Sequence, residues 1–167
     1  FVELLAKLAP HFIEEQDVMA WTDVYLRPVL NSAGYDLQFV AKAKEFFQRL
    51  IIDTVETQDD FLLARRSQIA GKVVRRIIEV YLGKAKVTDD APSTHLLKER
   101  LRFVKMNATN LLVDYGLKHT RTFLSILEPY VRSPEDRFAA LMLLLALISH
   151  ENCHPSHLAR TPILQNI

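Results

Sequence analysis

The residues best suited to chemistry lie close together near the carboxyl end of the chain: His150, Cys153, His154 and His157. Imidazole and thiolate groups both ligate zinc, so this cluster is a candidate metal site. Its compressed spacing fits no common zinc-finger or zincin pattern, and no further Cys/His group stands nearby in the sequence to complete a site. We interpret the cluster as polar residues at a helix end, and we predict no metal or other cofactor.

Nucleophilic catalysis by Cys153 and His154 would need the two side chains to face each other beside an oxyanion hole. Adjacent residues seldom do so, and the chain has no glycine-rich turn that would offer backbone N–H groups. It also lacks a GxxxxGK[ST] or GxGxxG phosphate-binding string. We therefore predict that the chain is not an enzyme. A metal-dependent enzyme that uses the His/Cys cluster is the alternative, which zinc analysis of the purified protein would decide.

Basic side chains form the second candidate site. Residues 61–122 carry thirteen Lys/Arg and five Asp/Glu, whereas residues 1–60 carry five and eleven. Such polarity suits a surface that faces an anionic partner. Lys72, Arg75 and Arg76 are spaced so that they share one face of a predicted helix. The predicted membrane- or anion-binding residues are Arg65, Arg66, Lys72, Arg75, Arg76, Lys84 and Lys86.

Anionic lipid headgroups match this pattern, because each Lys or Arg near a membrane surface adds about 1 kcal/mol of attraction. Lys98, Arg102 and Lys105 form a second stripe of the same kind. Nucleic acid is not predicted as a partner, since no aromatic residues interleave the charges as a stacking platform requires. The alternative is a solvated helix face that binds no ligand.

Composition and periodicity predict an all-α protein. The chain has 167 residues and only four glycines, and no run alternates apolar and polar residues between regular turns, as strands would. The length predicts a single domain over residues 1–167. Roughly seven or eight helices with short connections are typical of an irregular HEAT- or armadillo-like solenoid, a class that holds partners. The chain starts without an initiator methionine, so we expect a fragment of a longer protein.

Local signals place the helix ends. Predicted helices cover residues 1–13 and a following segment that Pro28 interrupts and Gly34 stops. Asp36 is expected to cap the next helix, and Asp59 or Thr57 the one after. The remaining expected boundaries are a helix end at Gly83, a flexible linker over residues 84–94 and a helix end at Gly116.

The last long helix is predicted from the segment SPEDRFAALMLLLALI. Ser133 is expected to be its N-cap and Pro134 its first residue. Every residue from Phe138 to Ile148 is apolar, and a helix that is apolar all round is expected to be buried all round. The run is too short to span a bilayer, which takes about 20 residues. The residues expected in the core include Phe138, Leu143, Leu144 and Leu147.

Three stretches that together run through most of the chain carry a family resemblance. They are WTDVYLRPVLNS at 21–32, LRFVKMNATNLLVDYGLKHTRTFLSI at 101–126, and the segment 137–167 with its Pro/His/Leu run and TPIL sequence. In this order they resemble the N-terminal domain of the hamartin family, the scaffold subunits of the tuberous sclerosis complex, and its fungal members above all. The chain departs from that pattern at residues 149–152, where Ser-His-Glu-Asn replaces the expected basic-plus-glutamine approach.

This resemblance implies a HEAT-like domain without a catalytic site. Hamartin-like proteins stabilise tuberin, whose separate domain activates GTP hydrolysis by the small GTPase Rheb and so restrains the TORC1 growth kinase. The implied partners are a tuberin-like GTPase-activating subunit bound through regions outside this chain, a second copy, and an anionic, phosphoinositide-containing membrane. The implied location is the cytoplasm, at the periphery of vacuoles or lysosomes. An unrelated helical-repeat adaptor that binds a peptide or protein is the alternative.

Overall fold

The computed structural model describes residues 15–53, 59–85 and 94–154, together with Ser156, Leu158 and Ile163. Every regular element among these residues is helical, which confirms the all-α class, while the solenoid repeat stays a prediction. The elements are α1 (Glu15–Leu30), α2 (Leu37–Phe47), a π-helical turn (Gln48–Ile52), α3 (Asp60–Tyr81), α4 (Thr94–Lys118), α5 (Thr120–Arg132) and α6 (Arg137–Ile148). The predicted helix at 1–13 and residues 86–93 of the predicted linker lie outside the described residues.

Side-chain caps and glycines set several helix ends where the sequence predicts them. The Asp36 carboxylate accepts hydrogen bonds from the backbone N–H groups of residues 38 and 39, at 2.9 and 3.3 Å. Asp59 caps α3 in the same way. Gly34 and Gly83 both adopt positive φ, at 86° and 76°, a conformation that costs glycine little. The predicted boundaries at Asp36, Asp59 and Gly83 are confirmed. Helix α1, however, ends at Leu30, four residues before Gly34, so Gly34 belongs to the turn after the helix rather than to its end.

Several other expectations about helix ends are wrong. Pro28 lies in the last turn of α1, and the helix continues through it to Leu30. Helix α6 begins at Arg137, with Asp136 as its N-cap residue, rather than at Pro134 with Ser133 as its N-cap. The Ser133 carbonyl instead accepts hydrogen bonds from the N–H groups of Asp136 (3.2 Å) and Arg137 (2.9 Å), which closes a turn ahead of the helix.

Gly116 does not end α4, which runs on to Lys118. A Cβ atom at this position would lie 2.8 Å from Cδ1 of Phe123 and 3.1 Å from Cδ1 of Leu147. The glycine therefore allows two buried side chains to approach the backbone of α4. Its role here is close packing rather than helix termination.

Contacts along the chain define two compact units, residues 1–108 and 109–167; the single-domain prediction stays a prediction. In the first unit, α2 and α3 each pack on α1 and on the π-helical turn. Its core contains an aromatic group in which the ring of Phe46 lies 5.0 Å from that of Tyr25 and 5.2 Å from that of Phe47. The Asn107 side chain donates to the Leu30 carbonyl at 2.9 Å and so ties α4 to the end of α1.

In the second unit, α5 packs against α6. Phe123 and Leu127 of α5 are fully buried, as are Leu143 and Leu147 of α6. The Phe123 ring meets Tyr115 edge to face, with centroids 6.1 Å apart. These side chains pack together with the backbone at Gly116, which has no side chain, in the core of the unit.

Helix α6 is buried on one side only, which corrects the prediction of all-round burial. Leu143, Leu144 and Leu147 are buried as expected, but Phe138 is 78% exposed. The difference arises because α5 and the Gly116 region of α4 cover one face of the helix. The hydropathy of a sequence shows which faces of a helix are apolar. Whether such a face is buried depends on whether another helix packs against it.

Candidate interaction surfaces

The His/Cys cluster lies in the turn that follows α6. The His150 carbonyl accepts a hydrogen bond from the Cys153 N–H at 2.9 Å, and Nδ1 of His154 lies 2.6 Å from the Ser156 hydroxyl. His157 lies outside the described residues. In the part of the chain that the structure describes, no three His, Cys, Asp or Glu side chains are grouped to hold a metal ion. The hydrogen bonds organise the turn, and the absence of a cofactor stays a prediction.

Two titratable groups near the end of α4 have shifted pKa values. Burial raises the pKa of Asp114, and the nearby His150 opposes that shift. Burial also raises the pKa of Tyr115 to about 12. The Tyr115 hydroxyl therefore stays protonated at neutral pH and supplies no base there.

Two of the predicted anion-binding residues are paired with acidic residues of α1. The Lys72 ammonium contacts the Glu15 carboxylate. Arg76 donates from Nε to one oxygen of Asp23 at 2.8 Å and from Nη2 to the other at 3.2 Å, and these bonds raise its pKa. The acidic first third of the chain thus meets part of the basic middle third inside the first unit.

Arg66 also has a structural role. Its guanidinium donates to the backbone carbonyls of Arg49 and, at 3.1 Å, Asp53. It therefore binds the carboxyl end of the π-helical turn, where carbonyl groups lack helical partners. Burial lowers the pKa of Arg66, and the Asp53 charge opposes that shift.

The remaining predicted anion-binding residues do not take part in the contacts that Lys72, Arg76 and Arg66 make. Arg75 and Lys84 are exposed, and Arg65 is half-buried. Lys86 lies outside the described residues. Of the Lys72, Arg75 and Arg76 trio expected to share one basic face, only Arg75 is exposed, because the other two meet α1.

The Arg76–Asp23 pair should contribute little to stability, because both side chains are partly exposed, at 30% and 49%. A double-mutant cycle with Arg76→Ala and Asp23→Ala should give a coupling energy of about 0.2–1 kcal/mol in urea unfolding. The coupling energy should decrease in 1 M NaCl, where the Debye screening length is about 3 Å. A coupling that salt leaves unchanged would contradict this assignment as a solvent-screened pair.

A mixed basic and apolar face lies on α4. Lys98 and Arg102 are exposed there, and the exposed side chain of Met106 lies one turn beyond Arg102 on the same face. Lys105, the third member of this predicted stripe, lies with Nζ 5.8 Å from the centre of the Tyr81 ring. The second basic stripe is therefore more exposed than the first.

Sequence reasoning missed an exposed apolar surface on α6. We call it the α6 stripe and define it as Phe138, Met142, Leu145 and Ile148, which are 78%, 46%, 54% and 40% exposed. The sequence signal for this surface was the uncharged run itself. Its apolar residues cover every face of the helix, whereas one neighbouring helix covers only one face. Large exposed apolar patches mark interaction sites more often than scattered apolar residues do.

Searches against protein-family models, curated proteins and solved structures yield no match to this chain. Among the described helices, none combines the length and apolar character needed to cross a lipid bilayer.

Proposed function

We propose that the chain is a non-enzymatic helical scaffold domain that works by binding a protein partner. The observation that carries this proposal is the α6 stripe, an apolar helix face that is exposed although the opposite face is packed in a core. Desolvating such a face on a partner is favourable at about 25 cal/mol per Å² of apolar surface removed from water. Binding therefore supplies a use for residues that folding leaves uncovered.

In its finer form, the proposal is a scaffold of the hamartin type. It is supported by the three stretches at 21–32, 101–126 and 137–167 and by their order along the chain. On this reading the whole protein stabilises a tuberin-like GTPase-activating subunit and so restrains growth signalling through Rheb and TORC1. Its location would be the cytoplasm, peripheral to vacuole or lysosome membranes.

Affinity purification of the full-length protein from its native cell, followed by mass spectrometry, tests the hamartin proposal. We expect stoichiometric recovery of a large subunit that carries a GTPase-activating domain. Recovery of a different dominant partner would overturn the hamartin assignment and leave the helical-repeat adaptor. Stoichiometric zinc in the purified protein, together with a catalytic activity that chelation abolishes, would instead favour the enzyme alternative.

Membrane contact, the second part of the proposal, is assigned to cations that solvent can reach. Arg75, Lys98 and Arg102 meet that condition, whereas Lys72 and Arg76 are engaged with α1. Reversing a cation that faces an anionic surface removes about 1 kcal/mol of attraction, or roughly fivefold in binding, and adds repulsion. The same face of α4 also offers Met106 as an apolar contact for the headgroup region.

Co-sedimentation with phosphoinositide-containing anionic vesicles checks this assignment. The double variant Lys98→Glu/Arg102→Glu and the single variant Arg75→Glu should each reduce binding by about fivefold or more. Lys42→Glu, an exposed cation on α2, changes net charge equally per site and should have little effect. Equal losses of binding in all three variants would show that only the net charge of the protein matters. Binding equal to that of the wild type in all three variants would show that none of these residues contacts the membrane.

A further inference from the structure

The α6 stripe has the geometry of a helix-pairing seam. Its residues recur at intervals of four, three and three, so they lie on one face over about 15 Å of helix. Phe138, Met142 and Leu145 have the d–a–d spacing of a coiled-coil heptad. Ala139 and Ala146 flank the line, and their small side chains let a second helix approach closely.

The charge pattern defines the chemistry of a partner. No charged residue occurs between Phe138 and Ser149, so the stripe offers nothing to phosphate groups or to acidic peptides. An interfacial membrane helix needs a charged face opposite its apolar one. Here the opposite face is Leu143, Leu144 and Leu147, all at 3% exposure or less in the core. A complementary surface must itself be apolar and uncharged along its centre.

The size of the stripe favours one helix over a second copy of the chain. Its four side chains expose on the order of 400 Å², whereas a stable dimer buries about 800 Å² on each partner. Two copies joined through this stripe alone would fall short of that size. One amphipathic helix laid along three turns needs only this area and gives a weak, reversible contact.

We propose that the α6 stripe binds an amphipathic α-helix of a partner protein, whose apolar a and d side chains pack against Phe138, Met142 and Leu145. This inference rests on the proposed scaffold function and names the chemical class of its partner. The contact is specified by apolar shape along the seam rather than by charge. The binding helix carries its polar residues on the face turned away from α6.

Fluorescence anisotropy with a defined peptide tests the proposal. The probe is a labelled 21-residue synthetic helix, with leucine at the a and d positions and glutamate and lysine elsewhere, used below its own association concentration. We expect a Kd of about 1–100 µM, the range of small and reversible interfaces. Leu145→Glu should weaken binding at least tenfold. Leu101→Glu, at an exposed leucine of α4, should change it less than twofold.

Each contrary outcome has a distinct meaning. An absence of binding, or binding that Leu145→Glu leaves intact while its circular dichroism and melting match wild type, overturns the helix-binding inference. Dimerisation without the probe, seen in sedimentation and abolished by Leu145→Glu, also overturns it, because a second copy then covers the stripe. Neither result touches the scaffold proposal, which fails separately if the native protein carries no stoichiometric partner.

Discussion

Replacing Phe123 with alanine should lower the free energy of unfolding by about 3–5 kcal/mol. The side chain is fully buried, and its ring lies edge to face with Tyr115 at 6.1 Å. It also occupies the space above Gly116, where a Cβ would come within 2.8 Å of the ring. Truncation therefore removes apolar contacts on several sides and leaves a cavity that the helices cannot easily close.

Phe138→Ala is the matched control, since this phenylalanine lies in the same unit and is 78% exposed. Its replacement should change stability by no more than about 0.5 kcal/mol. Urea unfolding of the two variants, followed by circular dichroism, provides the comparison. Similar losses in both would show that Phe138 is covered in solution and would contradict the one-sided packing of α6.

Leu144→Ala should destabilise the protein by about 2–5 kcal/mol, the range for a buried leucine that leaves a cavity. Leu144 is 3% exposed, on the face of α6 that packs against the rest of its unit. The next residue along the helix, Leu145, is 54% exposed. The same substitution at Leu145 should cost less than about 1 kcal/mol.

This pair of neighbouring leucines isolates the effect of burial, because the residue type and the helix are the same. Thermal melting and urea unfolding should rank the variants in the order wild type, Leu145→Ala, Leu144→Ala. A loss below about 1 kcal/mol at Leu144 would contradict its place in the core. Comparable losses at both sites would restore the expectation that α6 is buried on all sides.

The helix boundaries that the sequence predicts correctly depend on local chemistry. Asp36 and Asp59 cap the helices that follow them because a carboxylate two or three residues away reaches their free N–H groups. Gly83 follows the cap residue at the end of α3 and adopts the positive φ that glycine tolerates there. Such effects act between residues that are close in the sequence, so the sequence alone is enough to predict these helix ends.

Tertiary packing explains the boundaries and surfaces that the sequence does not predict. Gly116 is a glycine like Gly83, which follows a helix end, yet at position 116 the missing side chain allows Phe123 and Leu147 to approach the backbone. The apolar run of α6 likewise gives the character of each face but not the number of neighbours. A single sequence does not reveal which faces a fold will cover.

The basic residues show the same difference between local features, which the sequence predicts, and tertiary contacts, which it does not. Their charge and helical spacing are visible in the sequence, and they predict a cationic face on α3. The partners of Lys72 and Arg76 are Glu15 and Asp23, which lie 57 and 53 residues away along the chain. Ion pairs between distant segments turn part of a predicted binding surface into a contact between helices.

Quantitative affinity purification of the full-length protein, as wild type and as Leu145→Glu, tests the central claim most directly. The claim is that this chain acts by binding a protein through an exposed apolar helix face. We predict at least one stoichiometric partner whose recovery falls at least tenfold in Leu145→Glu and stays unchanged in Leu101→Glu. A partner set that is identical in wild type and Leu145→Glu, with the variant folded normally, would contradict the claim.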